Sequence, residues 1–151
     1  MLKGIPNVLS PELLKILAEM GHGDTITIGD ANFAAASMAA GGRLVRADGI
    51  SSARMTDAIL QLMPLDAWTA SAVTVMGAPV PGKKDKLQIM APTQTLLDTV
   101  AHYDPQAAGK VTVLGRFEFY EQAKKSYAVL AAGDGSLYGC IILQKGTIES
   151  A

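Results

Sequence analysis

AEMGHGDTITIGDA, residues 18–31, decides the fold: it ends a helix, turns on glycine and histidine, runs as a strand and stops on an aspartate. Upstream, Ser10-Pro11-Glu12 reads as a helix start, because Ser can cap, Pro suits the first helical position and an early Glu favours the positive end of the dipole. Leu13, Leu14, Leu17 and Met20 follow at helical spacing, and Gly21 sits where a C-terminal cap belongs, which predicts a helix over residues 11–20. Thr25-Ile26-Thr27-Ile28 alternates and is β-rich, and Gly29-Asp30-Ala31 breaks it. His22 therefore precedes a strand and Asp30 follows it.

The same alternation continues downstream. Residues 43–49 read as a short strand ending in a turn. Ser51-Ser52 caps a helix through Met63, with Met55, Ile59, Leu62 and Met63 on one face and Pro64 stopping it. A strand is expected at 72–76, and the stretch 79–86 is the most loop-like in the chain. A helix over 92–100, a strand at 111–114 and a helix over 116–125, in which Glu121 can pair with Lys125, come next. A strand at 127–130, a tight turn at 132–135 and a closing strand at 138–143 complete the pattern. The fold class is α/β: a single three-layer domain over residues 1–151, with a mostly parallel sheet and an antiparallel edge.

At 151 residues the chain can bury about two-thirds of its unfolded surface without metal or disulfide staples. It is 49% hydrophobic and only 18% charged, which leaves little polar surface for a monomer and predicts a homo-oligomer. Thirteen basic and fourteen acidic residues give a net charge of −1, so no long-range field attracts nucleic acid or an anionic membrane. Lys3, Pro6 and the Ser10-Pro11-Glu12 break leave no leader-like apolar run, and no segment approaches the roughly 20 apolar residues of a membrane span. Cys140 stands alone, which fits a reducing compartment, and the cytoplasm is the expected location.

Several familiar devices are missing. Neither a Walker loop nor a dinucleotide fingerprint occurs, since GHGD follows a helix whereas both devices join a strand to the next helix. Two histidines and one cysteine make a poor zinc set, and no cofactor or metal is expected. What remains is a set of polar residues at element ends, where α/β sheets bind ligands. His22 can exchange protons near neutral pH. Asp30 follows a strand, and Arg116 opens a helix, where the dipole disfavours a cation and a ligand oxygen would account for it. Structural readings compete with each: His22 as a side chain capping the helix end, Asp30 as the opener of a turn, Arg46 and Asp48 as a surface ion pair, Tyr138 as packing, His102 as a helix-end residue.

Taken together, SPELLKILAEMGHGD (10–24), DANF (30–33), VRADG (45–49), GRFEFYEQAKKSYAV (115–129) and LYGCIILQKG (137–146) resemble the D-ribose pyranase and L-fucose mutarotase family of sugar-anomer isomerases, on the mutarotase side. These stretches lie at both ends of the chain; the middle, about 65–110, contributes little. The resemblance implies His22 as proton donor, Asp30 and Arg116 as sugar-binding residues, Tyr138-Gly139-Cys140 as pocket lining and Tyr120 as a sugar neighbour. It also implies a monosaccharide substrate and a decameric ring with sites between neighbouring subunits. Two residues depart from the family pattern: Cys140 stands where an Asn is usual after Tyr-Gly, and Asn32 where a His is usual after Asp-Ala. A sugar-binding protein without turnover, and a purely structural oligomer, are the competing expectations.

Overall fold

The computed structural model describes residues 1–149. In chain order the elements are α1 (Pro11–Glu19), β1 (Thr25–Gly29), α2 (Ala35–Met38), β2 (Arg43–Ala47), α3 (Ser52–Leu60), β3 (Val73–Met76), β4 (Ala78–Pro79), β5 (Leu87–Gln88), α4 (Ala91–Tyr103), α5 (Pro105–Ala108), β6 (Val111–Leu114), α6 (Arg116–Ala123), β7 (Ala128–Ala132) and β8 (Ile141–Gln144). Ser10 caps α1 by accepting from the Leu13 amide at 3.1 Å, and Ser51 caps α3 through the Arg54 amide at 3.2 Å. Each such cap is worth about 1 kcal/mol.

Six strands form one sheet in the order β2-β7-β1-β8-β3-β6, and β4 and β5 make a separate two-stranded ribbon. Within the six-stranded sheet all pairs are parallel except those of β8, which runs against β1 on one side and β3 on the other. The antiparallel member thus sits inside the sheet rather than at its rim. The chain reaches that slot last, and β8 is buried on both faces, so the apolar run Ile141-Ile142-Leu143 is that of an interior strand.

Side chains alternate across the sheet and give two cores. Ile26, Ile28, Val73, Val75, Leu130, Ile141 and Leu143 pack with Leu13 and Leu17 of α1, Met55 and Ile59 of α3, and Leu96 and Val100 of α4. Val129, Ala131, Cys140 and Ile142 face the other way, onto Phe33, Ala35 and the α6 residues Phe119 and Ala123. The α/β three-layer architecture expected from the sequence is the one observed. Local differences have local causes. Glu121 pairs with Lys124 at 2.7 Å rather than with Lys125, because α6 ends at Ala123. Tyr138 lies outside the closing strand at φ 66°, and the strand starts three residues later.

This topology places the C-terminal ends of the parallel strands, and the start of β8, along one edge of the sheet. The N-terminal ends and the close of β8 lie along the other. His22 and Asp30 fall on opposite edges.

Candidate functional site

At the C-terminal edge, Asp30, Asn32, Phe33, Met76, Arg116, Tyr120, Leu137, Tyr138 and Cys140 line a cavity of about 210 Å³. The strand ends supply them: Asp30 from β1, Met76 from β3, Arg116 from the β6–α6 junction, and residues 137–140 from the approach to β8. The carboxylate of Asp30 is buried and held on several sides. Its Oδ1 accepts the Asn32 amide at 2.9 Å, and its Oδ2 accepts the Gly139 amide at 2.9 Å and the Cys140 thiol at 3.6 Å. The turn expected of Asp30 is therefore made by the same side chain that faces the cavity.

Burial raises the Asp30 carboxyl above the ordinary aspartate range; the amide donors of Asn32 and Gly139 act against it, and the nearby Asp134 carboxylate adds to the rise. Asp134 is itself occupied with the Ser52 amide at 2.7 Å and the hydroxyls of Ser52 and Ser136, which ties the loop before β8 to the start of α3. Burial also pushes the Cys140 thiol up, with the Asp30 charge adding to it, so Cys140 is a neutral wall and a weak donor rather than a thiolate nucleophile.

Arg116 is the first residue of α6 and its guanidinium lies 4.7 Å from the centre of the exposed Phe117 ring. Tyr120 sets its ring edge-on to Phe33 at 5.4 Å, and Tyr138 is pinned through its carbonyl, which accepts from Thr93 Oγ1 at 2.8 Å. Gly139 cannot take a side chain without cost: a Cβ there would press into Ser136 Oγ and come within 3.2 Å of Ser52 Oγ.

His22 stands at the other edge. Its Nε2 lies 3.2 Å from Oδ2 of Asp66, a carboxylate only 5% exposed, while the imidazole is 48% exposed. It does not cap α1: Lys145 Nζ donates to the Leu17 and Met20 carbonyls in that place. The Trp68 amide donates to Asp66 Oδ1 at 2.9 Å and Gln144 Nε2 to Oδ2 at 3.1 Å. The Trp68 amide first, and the His22 imidazole with it, hold the Asp66 carboxyl below the ordinary range despite its burial. At about 3.3 Å per residue, the five residues of β1 alone put roughly 16 Å between the two edges. Within one chain, then, Asp30, Arg116, Tyr120, Tyr138, Gly139 and Cys140 come together and His22 does not join them.

Asp66, Gln144 and Trp68 were not among the expected site residues. They come from the segment before β3 and the end of β8, and the signal available was a carboxylate two residues past the helix-stopping Pro64. Arg46 and Asp48 form the expected surface ion pair at 2.6 Å, and His102 packs edge-on to Tyr103 at the end of α4. Among the described residues no group of three or more His, Cys, Asp or Glu is placed to hold a metal, and no helix is long and apolar enough to cross a membrane.

A mostly parallel α/β sheet with a polar and aromatic cavity on its carboxyl edge has the layout of a small-ligand-binding α/β protein. The profile of the RbsD / FucU transport protein family matches residues 3–148, and the chain belongs to that family. It is 45% identical over 149 residues to the fucose mutarotase of Mus musculus, covering 98% of this chain and 95% of that one. It is 43% identical over 148 residues to the L-fucose mutarotase of Haemophilus influenzae, covering 97% and 96%. The solved structure of the Streptococcus pneumoniae fucose mutarotase in complex with L-fucose superposes with a TM-score of 0.86 at 41% identity, covering 98% of this chain and all of that one. The similarity runs through the middle of the chain as well as its ends.

Proposed function

We propose that the protein is a sugar mutarotase that interconverts the anomers of L-fucose or a closely related aldose. The observation that carries the reading is the C-terminal-edge cavity, where a buried carboxylate, a guanidinium and two tyrosines converge on a space the size of one small ring, in a chain over 40% identical to proteins named for this activity.

Anomers exchange by opening the hemiacetal. A base takes the anomeric hydroxyl proton while an acid protonates the ring oxygen, and the ring recloses on the other carbonyl face. Asp30 accepts a sugar hydroxyl, Arg116 donates to others, and the residue 138–140 segment closes the pocket. His22 is the acid. Asp66 on Nε2 fixes the ring, leaving Nδ1 for the sugar. Positioned acid–base groups of this kind contribute about 10²–10⁴-fold, a sufficient amount, since the open aldehyde forms spontaneously.

His22 reaches the cavity only from a neighbouring subunit. Phe117 is 70% and Leu137 64% exposed beside the pocket, an apolar rim that fits coverage by another copy. Contact of one edge with the opposite edge of the next copy is head-to-tail, the kind of contact that builds a ring when the rotation between copies closes. We place the sites between subunits of such a ring, ten by resemblance, in the cytoplasm.

Saturation-transfer NMR on a panel of aldoses tests the reading. Enhanced exchange is expected with L-fucose, lost in His22→Ala and in Arg116→Ala, and regained when the two variants are co-expressed, since mixed rings contain intact sites. No enhancement with any sugar, or full activity in His22→Ala, overturns the assignment. Mixed rings as inactive as their parents overturn the shared site.

A further inference from the structure

We propose that Trp68 is a substrate-stacking residue, its indole packing against the C–H face of a sugar held in the neighbouring subunit's pocket. The inference rests on the mutarotase reading and adds a binding residue to it.

Trp68 is 81% exposed and is the only tryptophan in the chain. An indole on a floppy loop would mean little, but this segment is pinned. Asp66 N–H donates to the Gln144 carbonyl at 3.1 Å, Gly146 N–H to the Pro64 carbonyl at 2.9 Å, and Leu65 bridges to Lys145. The Trp68 amide is then held by Asp66 Oδ1, the other oxygen of the carboxylate that orients His22. One buried carboxylate thus holds both the imidazole and the backbone of Trp68, which sets the two residues on the same edge of the sheet.

The pocket edge leaves this role open. A pyranose presents hydroxyls around its rim and C–H bonds on its faces, and a 6-deoxy sugar adds a methyl group. Asp30 and Arg116 serve the hydroxyls. Of the pocket aromatics, Tyr120 sets its ring edge-on to Phe33, and Tyr138 sits on a backbone with positive φ anchored to α4. The wall that arrives with His22 carries a free aromatic face, and Trp offers a large apolar area at small cost in side-chain freedom.

Because Trp68 is unique, the intact wild-type oligomer reports directly. Titration with L-fucose should change the intrinsic fluorescence, saturating in the same range as the exchange kinetics. Trp68→Ala should raise KM about tenfold, the size that aromatic contacts carry, with kcat within about threefold because stacking serves ground and transition states alike. Trp68→Phe should recover most of the affinity, and light scattering should show the oligomer unchanged in both variants. Emission indifferent to saturating sugar, with KM within twofold in Trp68→Ala, overturns the proposal while leaving an active wild type and the mutarotase reading intact. Dissociation of the Trp68→Ala oligomer together with silent wild-type emission assigns Trp68 to the subunit contact and also overturns it. A wild type that accelerates no exchange removes both.

Discussion

The two edges of the sheet each bury an aspartate, and the two carboxyls are displaced in opposite directions. Asp30 and Asp66 are alike in exposure, at 3% and 7%. Burial dominates at Asp30, the Asp134 carboxylate adds to it, and its carboxyl is raised. Donors dominate at Asp66, where the Trp68 amide and the His22 imidazole outweigh burial, and its carboxyl is lowered. The contrast teaches that burial does not fix a charge state; the supply of donors does. Asp66 is already served and acts as an orienter. Among the described residues Asp30 forms no ion pair with a cationic side chain, and it gains most from a ligand bringing hydroxyl protons.

The comparison breaks most visibly in turnover. Asp30→Asn is expected to lower sugar exchange by about 10²-fold or more, with KM raised, since it turns an acceptor of two amides and a sugar hydroxyl into a partial donor. Asp66→Asn is expected to cost about tenfold, in kcat rather than KM, because that carboxylate acts through the imidazole it orients. Equal losses, or a KM effect from Asp66→Asn, would erase the division of labour between the edges. Gly139→Ala comes next. Its Cβ presses into Ser136 Oγ and lies 3.4 Å from Asp30 Cβ, so overpacking should cost about 1–3 kcal/mol in urea unfolding and weaken sugar binding.

The same contrast explains what was legible in the sequence. Helices, strands and caps were readable because each is written locally: Ser10-Pro11 for α1, Ser51 for α3, the alternation of Thr25–Ile28 for β1. At the C-terminal edge, Asp30 and Arg116 stood out by their places at element ends, whereas residues 138–140 were indicated only by the family resemblance, since the closing strand was expected to begin at Tyr138. Strand order was not readable, since nothing local in Ile141–Gln144 says that it inserts between β1 and β3. Nor was the Asp66–His22 pair, which joins residues 44 positions apart through a loop with no periodicity. His22 was found by its glycine setting, and its partner only by the fold.

Acid titration sharpens the comparison through stability. Asp66, held below the unfolded value of about 3.9, contributes stability that is present above that value and lost as pH falls through its folded pKa. Asp30 has the opposite sign: its contribution is present while the carboxyl is protonated, below the unfolded value, and is lost as pH rises through its raised folded pKa. Asp66→Asn should therefore destabilise at neutral pH and flatten the acid loss of stability, whereas Asp30→Asn should forfeit little stability at neutral pH. Thermal unfolding from pH 3 to 8 checks both signs, and the same sign for both variants would refute the assignment.

The smallest effect isolates the thiol. Cys140 donates to Asp30 from 3.6 Å, a long and weak contact. Cys140→Ser keeps the volume nearly constant and substitutes a stronger donor, which should bring the raised Asp30 carboxyl down and extend activity to lower pH. It buries a hydroxyl in the core beside Ile142 and Phe119, but that hydroxyl has Asp30 as its acceptor, so the stability change should stay within about 1 kcal/mol. KM for L-fucose should move less than about threefold, since Asp30 remains the acceptor for the sugar. A pH–rate profile that does not shift would mean that burial and Asp134 alone set the Asp30 carboxyl. The donor argument would then hold for the His22 edge only.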